Sequence, residues 1–583
     1  MSTSDDASGV PSDDPLVSPP DPAPEPVRKG FLAAAAVYFE RRSATMLALG
    51  FAAGLPNLLI FDTLSAWLRD SGLSLELISF FSLATLSYSF KFLWAPLIDR
   101  TTVPGLTGWL GHRRSWMLVA QAAIMVGLLC VAGSDPKANL GLVALFAVFT
   151  GFSSATQDIV IDAWRIEAAD ISRQGAMAAS YQLGYRVAII VAGAVPLILA
   201  DRVGWHVTYA LMAALMLIGV AAVMLAPREA KHIIRAIPVL GVKVSPALEV
   251  MEWLVRLMIL AAGALLVGSG LGANAAVLSQ VLSVFTGPEA AAALKAAWAA
   301  KPNGVWLQLA GVLAGFVVIV IAAWPVPRVK TRPGLYLSHA LGDPLAEFFG
   351  RFGRTAGLIL ALICLYRLSD FVLNIMTPFY LDLGFSKTEV AEARKVFGIV
   401  MSMIGAVSGG FSVARFGIMR SLVVGAFALP ITNTIFAWLA TQGPDFHSLL
   451  IAIGIDNVVS GFAGTCLIAY MSSLTSVGFT ATQYALFSSL YSLPGKLIAS
   501  QSGRIVESAA KASEQGGLFG SLKGFFVHMR PDAFATAMAK SHVAPAALGA
   551  GYMVFFFYSG LVGVASMILA VLVARSQGKV KPT

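Results

Sequence analysis

Uninterrupted apolar runs of about twenty residues recur along this chain. Each is long enough to cross a ~30 Å hydrocarbon core as one helix rising about 1.5 Å per residue. Fourteen are read: 44–64, 75–98, 116–134, 139–163, 177–200, 206–226, 253–274, 304–324, 356–381, 394–414, 420–440, 448–474, 481–500 and 548–574. The seventh and eighth are joined by the more polar stretch 275–303. None of the runs alternates polar with apolar residues, as the strands of a membrane barrel would. Composition excludes a soluble fold: only 13% of the 583 residues are charged, and 57% are hydrophobic. The prediction is an all-α membrane protein.

An even number of spans puts both termini on one side. Lys and Arg concentrate on the segments that are cytosolic if the termini are, among them Arg28, Arg41, Arg42, Arg113, Arg114, Arg228, Arg235, Arg328 and Arg332. The positive-inside rule therefore predicts cytosolic termini. Residues 1–27 are acidic, Pro-rich and without Lys or Arg, the composition of a disordered tail rather than a signal peptide. At a constant offset of 310, Gly151-Phe152 falls on Gly461-Phe462, Tyr181 on Tyr491, Leu183 on Leu493 and Gly193 on Gly503; basic Arg186 falls on basic Lys496. This pairs spans four and five with twelve and thirteen, as two parallel six-helix halves would. The expected organisation is a tail (1–40), an N-terminal half (41–227), a central insertion with two extra helices (228–352), a C-terminal half (353–575) with a long periplasmic loop (501–547), and a short cytosolic tail (576–583). That is the major facilitator arrangement with two added helices.

Several function classes fall away. The net charge is +9, but the basic residues punctuate apolar segments instead of forming one patch, so nucleic acid is not an expected partner. Cys130, Cys364 and Cys466 sit inside apolar runs without paired spacing, so neither disulfides nor a metal site is expected. The seven histidines lie near span ends or in loops, with no HExxH. No catalytic constellation and no phosphate-binding GxxxxGK[ST] occurs, so no enzyme activity, cofactor or ATP use is predicted. An ion gradient is the default energy source. Trp67, Trp94, Trp116, Trp164, Trp205 and Trp324 cluster at span ends, where an interfacial aromatic belt accounts for most of them.

Ionisable groups at bilayer depth are costly unless paired or hydrated, so each is a functional hypothesis. Asp158, Asp162 and Arg165 share one face of the fourth span at i, i+4 and i+7, beside Gln157. Asp162 and Arg165 lie near the cytosolic end, where an interfacial ion network suffices. Depth counting puts Lys91 of the second span level with Asp158, so a Lys91–Asp158 pair is predicted. Gln182 and Arg186 in the fifth span, and Lys496 in the thirteenth, place cations in both halves, suited to a polar or anionic substrate between them. Arg367, Asp370 and Asn374 form a polar stripe in the ninth span, and Asp456, Asn457 and Ser460 stand in the twelfth; both sets are expected to line a cavity rather than face lipid. A buried carboxylate is the natural proton carrier. Asp158 is the first candidate, with Asp162, Asp370 and Asp456 behind it. Asp62 and Glu252/Arg256 read as interfacial.

Four motifs carry a resemblance. Phe92-Leu-Trp-Ala-Pro-Leu-Ile-Asp-Arg100 followed by Gly111-His-Arg-Arg114 resembles a stretched major facilitator loop signature. Gln157-Asp-Ile-Val-Ile-Asp-Ala-Trp164, Leu183-Gly-Tyr-Arg186 and Ala481-Thr-Gln-Tyr-Ala-Leu-Phe-Ser-Ser489 resemble AmpG-type muropeptide permeases. The resemblance runs over about 50–226 and 366–503. It implies proton-driven import of N-acetylglucosaminyl-1,6-anhydro-N-acetylmuramyl peptides from periplasm to cytosol, across the bacterial inner membrane, in peptidoglycan recycling. It also implies gating roles for Asp99, Arg100, Arg113 and Arg114, and the expected partners are the sugar–peptide, protons and the lipid bilayer, with the protein a monomer. The alternative is another anionic substrate, such as an acyl-CoA or a siderophore-like compound. The acidic tail and the loop 501–547 depart from the family pattern.

Overall fold

Helices account for the architecture in a computed structural model that describes residues 36–72, 88, 90–229, 234, 245–271, 274–300, 304–324, 331–499, 502–527, 529–535 and 542–579. The tail 1–35 and most of the second predicted span (73–87) lie outside the described residues. Ten of the described helices are long and apolar enough to cross a bilayer. Fourteen spans were expected. The difference comes from the undescribed second span, from spans five and six running on as one helical stretch, and from helices in the eighth and thirteenth positions that are not both long and apolar enough.

The N-terminal half comprises α1 (Arg41–Asp70), α2 (Ala95–Arg100, the end of span two), α3 (His112–Ala132), α4 (Leu140–Glu167), α5 (Ile171–Leu215) and α6 (Leu217–Leu225). α5 turns back at Gly204, whose φ of 79° suits a residue without a Cβ. Four helices form the insertion: α7 (Pro246–Leu271), α8 (Ala276–Thr286), α9 (Pro288–Ala299) and α10 (Gly304–Ala323). The polar stretch 275–303 is thus a pair of short helices. A linking helix, α11 (Arg332–Phe352), follows.

The ninth span is broken into α12 (Ala356–Leu365), α13 (Leu368–Val372) and α14 (Met376–Leu383). Then come α15 (Lys387–Phe416), α16 (Ile418–Gln442), α17 (Phe446–Ser473), α18 (Thr480–Ala499), α19 (Ser502–Gln515) and α20 (Pro545–Gln577). Asp445 caps α17, accepting from the Ser448 amide at 2.8 Å, and its hydrogen bonds to Ser448 hold its carboxyl below the usual range. The segment 501–547, expected as a loop, begins with helix α19. Val506 and Ala510 of α19 are buried against Gly551 of α20, and Ser502 donates to Val372 O at 2.8 Å. Apolar spacing hid this helix, because its outward face is polar.

In a bilayer there is no hydrophobic force between helices, so contact relies on small residues that let backbones approach. A Cβ on Gly184 would stand 1.9 Å from Leu47 O, and one on Gly50 2.2 Å from Tyr181 O; α1 and α5 therefore meet backbone to backbone. The C-terminal half repeats the device between α15 and α17, where a Cβ on Gly405 would stand 2.0 Å from Val458 O and one on Gly461 2.2 Å from Ser402 O. The halves meet where Gly175 of α5 lies against Gly410 O of α15. Leu145, Val424, Ile431 and Leu561 are exposed, as lipid-facing residues would be. Trp67 and Trp164 are buried rather than interfacial, whereas Trp324 is 64% exposed.

Candidate functional site

A polar cavity of about 270 Å³ opens on the seam between the halves. The N-terminal half contributes Lys91, Asp158, Asp162, Tyr181, Gln182 and Tyr185 to its wall, and the C-terminal half contributes Arg367, Gly464, Tyr484, Ser488 and Tyr491. Gly464 lies between the two walls: a Cβ there would make ordinary contacts, 3.4 Å from Arg367 Nη1 and 3.8 Å from Gln182 Nε2.

Local helix breaks aim the charges. Lys91 begins a 3-10 turn, Lys91–Leu93. Its ammonium lies 3.8 Å from Asp162, not in a pair with Asp158 as depth counting predicted. Counting assumes a regular helix, and span two is irregular there. Asp162 also accepts from Arg165 at 3.3 Å. Asp158 keeps a buried carboxylate oxygen, Oδ1, without a hydrogen-bond partner. Arg367 stands in the break between α12 and α13, with φ −108°. It bonds Asp370 and donates to Ser460 Oγ at 2.6 Å, and Ser460 donates to Asp370 at 3.0 Å. Arg186 lies within electrostatic reach of Arg367, Tyr185 and Tyr491. Among the described residues no carboxylate forms an ion pair with Arg186. Two guanidinium groups from opposite halves thus lie within electrostatic reach of one another, Arg367 on the cavity wall and Arg186 outside its lining, with Asp370 compensating Arg367.

Other predicted residues are placed elsewhere. Gln157 is fully buried and donates to Ala52 O at 2.9 Å, tying α4 to α1 away from the cavity wall. Asn457 donates to Ile453 O of its own helix at 2.9 Å. Asp456 has a buried oxygen without a partner and lies within electrostatic reach of Asp370, Arg367 and Arg394. The side chains of Asn374 and Lys496 lie outside the described residues. Glu252 accepts from Arg256 at 2.8 Å and from Thr331 at 2.7 Å, a local pair as expected.

At one end of the bundle the halves are hydrogen-bonded together. Asp99, fully buried at the end of α2, accepts from Arg113 Nη2 (2.7 Å), from the Thr482 amide (2.8 Å) and hydroxyl (2.7 Å), and from the Ala481 amide (3.2 Å). A carboxylate from one half therefore caps the first turn of α18 in the other, where free amides and the helix dipole favour an anion. Arg113 is held in turn by Glu167 at 2.6 Å. Arg165 adds a second tie, donating to Ser472 Oγ at 2.7 Å, with its guanidinium 5.2 Å above the Tyr484 ring. This corrects the interfacial reading of Arg165, which is fully buried between the halves. Arg100 donates to His339 O of α11 at 3.1 Å. Arg114 stays within its own half, donating to the last carbonyls of α6, Val223 O and Met224 O, both at 2.9 Å.

The tyrosines, Ser472 and Glu167 were not singled out from sequence as site residues, whereas Ser460 was expected to line the cavity with Asp456 and Asn457, and it bonds Arg367 and Asp370. One signal was available: Tyr181 and Tyr491, both on the cavity wall, are the aromatic pair matched by the internal repeat.

Comparison with known proteins agrees with the motifs. Residues 46–300 match the family model of the Major Facilitator Superfamily. The anhydromuropeptide permease of Escherichia coli K12 is 29% identical over 474 residues, covering 81% of this chain and 75% of the permease. The AmpG 4 transporter of Rickettsia felis is 27% identical over 473 residues, covering 81% of this chain and 91% of its own. Among solved structures, the proton:xylose symporter XylE aligns over 92% of this chain and 94% of its own at 10% identity, with a TM-score of 0.49. The resemblance to AmpG-type permeases therefore extends over 81% of the chain. With ten helices long and apolar enough to cross a bilayer, it marks a multi-pass membrane transporter.

Proposed function

We propose that this transporter imports anhydromuropeptides from periplasm to cytosol, across the inner membrane, coupled to protons. The observation that carries the reading is that Arg186 and Arg367, from opposite halves, lie within electrostatic reach of each other at the seam, with Arg186 lacking a carboxylate partner among the described residues. Two like charges in a poorly screened cavity repel, and a substrate carboxylate between them relieves that repulsion with charge-assisted hydrogen bonds. A peptide-bearing sugar supplies carboxylates for the guanidinium groups and a saccharide face for Tyr181, Tyr185, Tyr484 and Tyr491. The permease of Escherichia coli, similar over most of its length, carries that substrate in its name.

In this reading the end bearing Asp99 is cytosolic and closed, and the cavity receives substrate from the other side. Asp158 is the proton carrier: its unpartnered oxygen lies on the cavity wall with Lys91 and Asp162. Protonation removes the negative charge that Asp158 holds beside the Lys91–Asp162 pair and so alters what holds the N-terminal wall; Arg113, Asp99 and Arg100 form the gate. The test is uptake of labelled anhydromuropeptide into oriented membrane vesicles, with and without a protonophore. Accumulation abolished by the protonophore is expected. Absence of saturable uptake of this ligand removes the substrate assignment.

A further inference from the structure

A second cavity, about 450 Å³, lies at the latched end between α10, α11 and the start of α18. Phe92, Ile319, Val320, Leu337, Leu341 and Leu486 line it, and its volume falls in the ~300–1,000 Å³ range of ligand sites. It belongs to neither the polar cavity nor the gate, though Thr482, whose hydroxyl binds Asp99, stands on its wall.

The helix that roofs it is a strap across both halves. α11 meets the N-terminal half through Arg100, and the C-terminal half through Gln483, which donates to Pro344 O at 2.9 Å and to Glu347 at 2.6 Å. Phe348 of the strap packs on Phe487, with ring centroids 5.3 Å apart.

The polar atoms on the wall are already satisfied: Ser338 donates to Leu335 O and Thr482 to Asp99. A sugar–peptide would therefore be desolvated here without compensation, and water would find no partners. Left void, the wall forfeits dispersion contacts. The wall also reaches the outer surface, since Val320 and Trp324 line the cavity yet are 53% and 64% exposed on a lipid-facing helix. Donors stand nearby, the first of them beside a carboxylate. Arg332, at the start of α11, is 3.7 Å from Glu249 and has a 39% exposed side chain. Tyr336 OH and Arg100 Nη1 have no hydrogen-bond partner.

We infer that this cavity holds an acyl chain of an anionic phospholipid from the adjacent leaflet, its phosphate taken by the donors at the N-terminal end of α11. Burying a chain gains about 0.8 kcal/mol per methylene relative to water, but relative to lipid tails the gain is packing alone, so the headgroup supplies the selectivity. The lipid then buttresses the strap and, through Thr482, the Asp99 contact. This inference rests on no assignment of the transported substrate.

Phosphatidylglycerol with a photoactivatable acyl chain, in phosphatidylcholine nanodiscs holding the full chain, tests it by peptide mapping. Adducts enriched in 319–324 and 337–345 are expected over those on the lipid-facing surface around Leu145. Gly342 lines the cavity, and a Cβ there meets nothing within 4 Å. Gly342→Trp should therefore fill the space and lose the enriched adducts while keeping those around Leu145. Labelling in the wild-type protein should also fall when unlabelled phosphatidylglycerol competes. Adducts spread evenly over all lipid-facing helices, or enrichment unaffected by competition, overturn the site. Equal enrichment with a phosphatidylcholine probe, or no change in headgroup preference in Arg332→Gln, overturns the anionic headgroup.

Discussion

At the scale of single residues, the cavity separates charge that is paired from charge that is held ready. Lys91, Asp162 and Arg165 form a closed set with Ser472, and Arg367 is satisfied by Asp370 and Ser460. Asp158 and Arg186 are the members without such partners among the described residues. Substituting Asp158→Asn keeps the shape and removes the titration. It should abolish accumulation against a gradient while substrate exchange across the membrane continues, as counterflow in vesicles would show. Persistent accumulation would move the proton to Asp370 or Asp456. Arg186→Ala should abolish uptake with expression intact, and Arg186→Lys should restore part of it as a raised KM, since a point charge cannot reproduce the bidentate contact. Wild-type uptake by Arg186→Ala removes that residue from the binding site.

At the scale of elements, two devices position those residues. One is the backbone contact at Gly50, Gly184, Gly405 and Gly461. Gly405→Ala puts a methyl 2.0 Å from Val458 O, and overpacking of this kind costs about 1–3 kcal/mol, so a lowered unfolding temperature in detergent is expected. The other is the cap of α18 by Asp99. Removing one partner from a buried ion pair costs about 3–5 kcal/mol, so Asp99→Ala should release the halves at that end and leave Arg113 to Glu167 alone. A cysteine at Ser488, on the cavity wall, should then react with a reagent applied from the Asp99 side, and unchanged protection would mean that the other contacts, Arg165–Ser472 among them, hold the halves without Asp99.

Much of this scale was legible beforehand. Apolar runs marked the spans because lipid tolerates little else, and the offset of 310 paired α5 with the α18–α19 stretch. Depth counting failed at Lys91, and the span at 481–500 was cut short before α19, for related reasons. A 3-10 turn spoils the rise per residue, and an amphipathic continuation has no apolar run to detect. Contacts between distant segments, such as Asp99 to Thr482, leave no local pattern at all.

At the scale of the whole molecule, orientation decides whether the closed end faces the cytosol. The described residues bring the hydrogen bonds of Asp99 and Arg165 to one end, the end at which α1 begins and α20 finishes. Arg41, Arg113, Arg114 and Arg228 lie at that same end, with Arg41 donating to Leu225 O and Arg228 to Gly108 O. Their concentration on one side is what membrane insertion reads, so that side is expected to be cytosolic. The cavity then awaits substrate from the periplasm, which is the direction import requires. A cysteine at Ser576, in the final turns of α20, should be inert to an impermeant thiol reagent added to intact cells and reactive in inverted vesicles. A cysteine at Lys511, on α19 near the other end, should behave oppositely. The native Cys130, Cys364 and Cys466 are replaced first, so that the signal belongs to the new thiol. If Ser576→Cys reacts from outside while Lys511→Cys does not, the bundle is inverted, the closed end faces the periplasm, and the cavity loads from the cytosol. Export would then replace import.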